Sequence, residues 1–186
     1  MQEQAGAPLS AEEPPEPDPA APSGDSASTE PAHATQRPPR KAVLLWYIGA
    51  ALVVYLLDQG SKVWAVRALD DGAVTPLVGD LLSLRLIRNS GAAFSIGDSM
   101  TWMMTLIAVA VTVAILVVAP RIGSHRWSLA LGLLLGGSLG NLHDRFFREP
   151  GPLHGHVIDF IDYGGFFVGN VADIAIVLGA LLLLWL

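Results

Sequence analysis

Residues 99–120 read SMTWMMTLIAVAVTVAILVVAP, 22 residues in a row without a charge. At about 1.5 Å per residue, a helix of that length covers about 33 Å, enough to cross a hydrocarbon core of about 30 Å. The surface helix of a soluble domain would carry charged or polar side chains on its outward face. The stretch therefore points to a helical membrane protein.

Three further apolar segments flank it. The first covers 42–57 and continues in helical character through Asp58, Lys62 and Trp64. The third, 127–143, is followed directly by Asp144 and Arg145, and the fourth runs from about 164 to 186, interrupted by Asp173. These three reach spanning length only by taking polar residues into or near the bilayer, where such residues face a bundle interior or a wet cavity. The expected fold is all-α, with four transmembrane helices.

Composition agrees. Of the 186 residues, 52% are hydrophobic and 15% charged, against about a quarter charged in soluble domains. There is no cysteine, which excludes a disulfide scaffold, a thiolate zinc site, a cysteine nucleophile and lipid attachment to this chain through cysteine. The net charge of −6 is uneven: residues 1–36 hold seven of the 17 acidic residues and none of the 11 basic ones. With seven prolines among Ala, Ser, Glu and Asp, this stretch reads as a disordered acidic tail. Residues 37–186 are then nearly neutral and form the membrane domain. No basic run suggests a nucleic-acid partner.

Arg37, Arg40 and Lys41 precede the first segment, and Arg121 and Arg126 fill the link between the second and third. Both groups belong on the cytoplasmic side, which places both termini there as well. The outer side receives two loops, about 67–98 and 146–163. Within the first, Leu81-Leu82-Ser83-Leu84-Arg85-Leu86-Ile87-Arg88 partly alternates apolar and polar residues, between turn signals at Gly79-Asp80 and Asn89-Ser90-Gly91. It reads as a strand paired with 74–78, a small sheet on the outer membrane face.

Several polar residues sit where lipid would forbid them without partners. Asp58 and Lys62 are four apart and suit an ion pair. Gly132, Gly136 and Gly140 line one face of the third helix and permit close approach by another helix. Asn141, Asp144 and Arg145 share a face near its end, and Asp144 beside Arg145 reads as an ionised structural carboxylate. His143, His154 and His156 raise a metal site, but His154 and His156 lie in an irregular loop without two-His helical spacing, so none is assigned. Asp173 stands in an apolar helix with Asn170 three residues earlier, and Asp159 lies upstream in the loop feeding that helix. A loop of that length can fold Asp159 back onto Asp173. Two adjacent carboxylates cannot both ionise cheaply, the arrangement by which aspartic proteases activate water and polarise a carbonyl. The bland alternative is that Asp159 caps a loop and Asp173 bonds across helices.

Five motifs in this order resemble the signal peptidase II family of lipoprotein signal peptidases: Asp58-Gln59-Gly60-Ser61-Lys62, Asn89-Ser90-Gly91-Ala92-Ala93-Phe94, Gly136 to Arg145, Val157-Ile158-Asp159-Phe160 and Asn170-Val171-Ala172-Asp173. The resemblance covers about 43–186. Ser90 and Ser138 stand where Thr and Ala are common in the family, and the loop between the last two motifs is short. The resemblance implies four transmembrane helices with an extracytoplasmic β-cradle in a bacterial cytoplasmic membrane. It implies removal of signal peptides from diacylglyceryl-modified prolipoproteins before the lipidated cysteine, inhibition by globomycin, and no metal or cofactor. By motif position Asp159 and Asp173 would be catalytic. Asp58, Lys62, Asn89, Gly91, Asn141, Asp144, Arg145, Asn170 and Ala172 would form the supporting shell. The expected partners are those prolipoproteins and membrane lipids, with the protein a monomer. The competing readings are a small transporter or channel whose intramembrane carboxylates line an ion path, and a non-catalytic lipoprotein-binding protein.

Overall fold

The computed structural model describes residues 39–69, 72–91, 101–121 and 123–186. The tail at 1–36, and Ala92-Ala93-Phe94 with the end of the first outer loop, lie outside the described residues. Among the described residues four α-helices carry the fold: α1 (Arg40–Ala68), α2 (Thr101–Val118), α3 (His125–Phe147) and α4 (Val171–Trp185). A four-stranded antiparallel sheet, in the order β1-β2-β3-β4, is built from β1 (Thr75–Val78), β2 (Leu82–Asn89), β3 (Val157–Asp162) and β4 (Val168–Gly169).

α1 and α2 are long and apolar enough to cross a membrane, and α4 is a shorter apolar helix. Their outward faces carry large apolar side chains, among them Leu45, Leu57, Leu106, Val117, Leu178 and Leu181, all exposed. Exposed apolar surface on this scale suits a lipid environment rather than water.

α3 is the central helix. Its glycines let α1 and α4 press against it. A Cβ on Gly136 would lie 2.5 Å from the Ala51 carbonyl oxygen and 2.7 Å from the Val54 Cβ, and one on Gly137 would lie 2.6 Å from the Ala172 carbonyl oxygen. A Cβ on Gly140 would collide with the Asp58 carboxylate. The stripe at spacing four thus receives α1, while its neighbour Gly137 receives α4.

The sheet differs from the sequence reading. β1 and β2 pair around the Gly79-Asp80 turn as expected. The second half comes from 157–169, where 157–163 reads as loop in the sequence and 164–169 as the start of the fourth apolar segment. Nearly every residue of β3 is buried, so no alternation betrays the strand. Asp159 therefore sits on a strand held by β2, opposite Ile87. The fourth segment is also shorter than expected: α4 starts at Val171 rather than near 164. Asp173 lies in its first turn, not partway along an apolar helix. A capping box sets that start, with Asn170 Oδ1 accepting from the Asp173 N–H at 3.1 Å and Asp173 Oδ2 accepting from the Asn170 N–H at 3.1 Å.

Candidate active site

Lys62 is fully buried and donates in three directions: to Asp58 Oδ2 at 2.8 Å, Asp144 Oδ2 at 2.9 Å and Asn141 Oδ1 at 2.9 Å. An ammonium has three N–H donors, and each finds an acceptor. Asp58 Oδ1 accepts from the Ala172 N–H at 3.0 Å, an otherwise orphan donor in the first turn of α4. Asp144 Oδ1 accepts from Arg148 Nε at 2.6 Å, and its Oδ2 also takes the Ile158 N–H at 3.1 Å. This one cluster ties α1, α3, α4 and β3 together.

Asp144 is thus paired with Lys62 and Arg148, while the adjacent Arg145 turns to other partners. Arg148 stands four residues on, the same helical spacing that links Asp58 to Lys62. Arg145 instead donates to the carbonyls of Asn89 (3.1 Å) and Gly155 (3.0 Å), pinning two outer segments. Gly155 explains the His154-Gly-His156 stretch: its N–H reaches the Arg145 carbonyl at 3.2 Å, and a Cβ there would strike the Asp144 carbonyl. His143 faces elsewhere, its Nδ1 2.9 Å from the Tyr55 hydroxyl. Among the described residues no three His, Cys, Asp or Glu side chains converge as metal ligands.

Above this cluster three asparagines hold two carboxylates. Asn141 accepts at Oδ1 from Lys62 and from Asn170 Nδ2 (3.2 Å), which turns its Nδ2 toward Asp173 Oδ1 at 2.9 Å. Asn170, bonded at Oδ1 by the Asp173 N–H, turns its Nδ2 to Asp159 Oδ1 at 2.6 Å. Asn89, bonded at Oδ1 by the Gly91 N–H at 2.7 Å, turns its Nδ2 to Asp159 Oδ2 at 2.8 Å. Gly91 makes that turn at φ +95°, where L side chains are rare. Each amide is oriented by the partner at its oxygen, so all three present N–H groups to the carboxylates.

Asp159 and Asp173 line a common cavity of about 230 Å³ with Asn89, Asn141 and Arg145. Met104 and Ala108 of α2 and Phe167 close its apolar side; none of the three stands out in the sequence, because their role is only to be near. Burial pushes the Asp159 carboxyl up to about 6; the Asn89 bond opposes this and the Asp173 charge adds to it. A carboxyl that changes protonation near neutrality beside a second carboxylate can give and take a proton during a reaction.

A family model described as signal peptidase (SPase) II matches residues 50–186. The chain belongs to the signal peptidase II family. Among curated relatives of this family member, the lipoprotein signal peptidase of Mycobacterium avium (strain 104) is 50% identical over 147 residues, covering 79% of this chain and 80% of that one. The lipoprotein signal peptidase of Rhodococcus jostii (strain RHA1) is 48% identical over 144 residues, covering 77% and 72%. A solved bacterial membrane enzyme superposes with a TM-score of 0.64 at 27% identity, covering 75% of this chain and 90% of its own. The membership resting on five short motifs is borne out.

Proposed function

We propose that this protein is an aspartic endopeptidase of the bacterial cytoplasmic membrane. It removes signal peptides from diacylglyceryl-modified prolipoproteins, cutting before the lipidated cysteine, with Asp159 and Asp173 as the catalytic pair. The observation that carries the reading is their shared cavity, where neutral amides rather than cations hold both carboxylates. One ionised carboxylate takes a proton from water as the water oxygen attacks the scissile carbonyl. The other, protonated, hydrogen-bonds the carbonyl oxygen. The tetrahedral species collapses with C–N cleavage, and a proton passes to the leaving nitrogen of the cysteine. Asn89, Asn141 and Asn170 hold the carboxylates; Asp58, Lys62, Asp144 and Arg145 hold the asparagines and the loops; Gly91 and Ala172 supply backbone N–H groups, to Asn89 and Asp58.

The proposed topology has α1 to α4 as four spans, both termini cytoplasmic, the sheet on the outer face, and residues 1–36 outside the catalytic unit. The protein acts as a monomer, surrounded by membrane lipid, and globomycin occupies its site. Purified protein incubated with a diacylglyceryl prolipoprotein is expected to release the signal peptide, and globomycin to stop it. A transporter or a non-catalytic binder of lipoproteins would leave the substrate uncut.

A further inference from the structure

The outward side chains of α2 are apolar, and its buried ones are Thr101, Thr105, Thr112 and Ile115. In a bilayer, apolar contact between helices is no better than contact with lipid tails. Apolar packing therefore does little to fix such a helix along its own axis, whereas a directed hydrogen bond does. Thr112 donates within the helix, to the Ala108 carbonyl at 2.8 Å. Thr105, fully buried, donates out of it. Its hydroxyl lies 2.8 Å from the Leu153 carbonyl, against 3.2 Å from the Thr101 carbonyl of its own helix, and it has one proton to give.

The acceptor sits in a tight turn. The His154 N–H meets the Gly151 carbonyl at 3.1 Å, and Leu153, third in that turn, stands at φ +69°, a left-handed conformation that residues with a Cβ adopt only at a cost. Gly155, two residues on, is bonded to Arg145 through both its N–H and its carbonyl. Arg145 also holds the Asn89 carbonyl. Thr105 thus ties α2 to the residue that anchors Asn89. At that height α2 carries Met104, which walls the cavity of Asp159 and Asp173; a Cβ on Gly91 would lie 3.1 Å from its Cγ. The Gly91 N–H is what turns the Asn89 amide toward Asp159. A slip of α2 by one residue, about 1.5 Å, would take Met104 off Gly91.

We propose that Thr105 is a positioning residue: its hydroxyl, latched to the Leu153 carbonyl, fixes the height of α2 so that Met104 holds Gly91 and, through it, the Asn89 amide on Asp159. The proposal rests on the peptidase reading, because its consequence is a reaction rate.

The experiment measures signal-peptide release and thermal melting of the full chain and of Thr105→Val, Thr105→Ser and Thr112→Val. Thr105→Val keeps the shape and loses the donor. Its kcat should fall about ten- to a hundredfold with KM little changed, because the reacting groups and not the binding surface are misplaced. Thr105→Ser restores the donor and should recover most of the rate. Thr112→Val, whose lost bond lies inside the helix, should be near normal. The pH profile adds a readout that packing alone would not move. The Asn89 bond pulls the Asp159 carboxyl down against its burial. The limb governed by Asp159 should therefore move to higher pH in Thr105→Val and return in Thr105→Ser. Asp173, Arg145 and Lys62, the charged groups acting on Asp159, are the same in both variants. If Thr105→Val does not fold, Thr105→Ala removes the same donor without bulk. No release by the unaltered protein would take the peptidase reading and the latch down together. A normal kcat in Thr105→Val, or an equal fall in Thr105→Ser or Thr112→Val, would overturn the latch alone. So would lost stability with the rate per folded enzyme and the pH profile intact.

Discussion

Asp58 and Asp144 are buried and compensated by cations, with Lys62 between them and Arg148 on Asp144. Asp159 and Asp173, one layer further out, are held by the amides of Asn89, Asn170 and Asn141, and Asn141 stands between Lys62 and Asp173, bonded to both. A buried ammonium needs its carboxylates as counter-charges, and removing one partner of such a group leaves an uncompensated charge. An amide N–H supports the carboxylate without forbidding its protonation. The first pair therefore suits construction and the second suits proton transfer.

The strongest way to break this comparison is to neutralise each carboxylate of the outer pair. Asp159→Asn and Asp173→Asn should each lower signal-peptide release by about a thousandfold or more while folding normally. The double variant should be scarcely worse than the poorer single, because the two act as one device. Near-normal release by either single variant would move the chemistry to Asp58, Asp144 or Asp162.

Damage to the inner pair should appear as lost stability first. Lys62→Met leaves Asp58 buried without its cation and takes from Asp144 one of its two, at a cost of about 3–5 kcal/mol. Its melting temperature in detergent should fall well below that of Asp159→Asn, which removes a charge that burial already disfavours. Equal melting would erase the distinction between the pairs.

The outer pair should also show in the pH dependence of stability. The Asp159 carboxyl titrates near 6 in the fold, against an ordinary value of 3.8. Because the folded value is raised, the contribution is fully present below about 4 and is lost as pH rises toward and through 6. About two pH units at about 1.4 kcal/mol each gives a loss on the order of 3 kcal/mol, absent in Asp159→Asn. Unfolding free energies at pH 4 and pH 7 test this, since any pH-independent cost of the amide cancels in the difference. Parallel pH profiles for the protein and the variant would remove Asp159 as a proton-exchanging group.

The smallest effect concerns the scaffold beneath both pairs. Gly136→Ala forces a Cβ against the Ala51 carbonyl, which is backbone and cannot swing away, and should cost about 1–3 kcal/mol. Gly60→Ala, with nothing within 4 Å of the new Cβ, should be neutral or stabilise α1 by up to about 1 kcal/mol. Equal melting of the two would mean that the close α1–α3 approach does not set the height at which Asp58 meets Lys62 and Asp144.

Local spacing carried much of this in the sequence. The uncharged run at 99–120 contains α2, Asp58 and Lys62 pair at four residues, Asn170 and Asp173 hydrogen-bond at three, and the glycines of α3 form a face. Each follows from a repeat of 3.6 residues or from hydropathy, which are properties of neighbours in the chain. The β3 strand was not legible, because a strand buried on both sides has no alternation.

The sequence by itself determined which segments are helical and apolar, where the oddly placed polar residues fall, and, through its motifs, the family. Tertiary structure alone decided the partners. Lys62 meets Asn141 across 79 residues, Ala172 meets Asp58 across 114, and Asp144 chooses Arg148 over the adjacent Arg145. The physical reason is that a buried polar group must be satisfied by whatever donor or acceptor packing brings near it. That neighbour is set by how closely α1 and α4 approach the glycines of α3, not by any spacing along the chain.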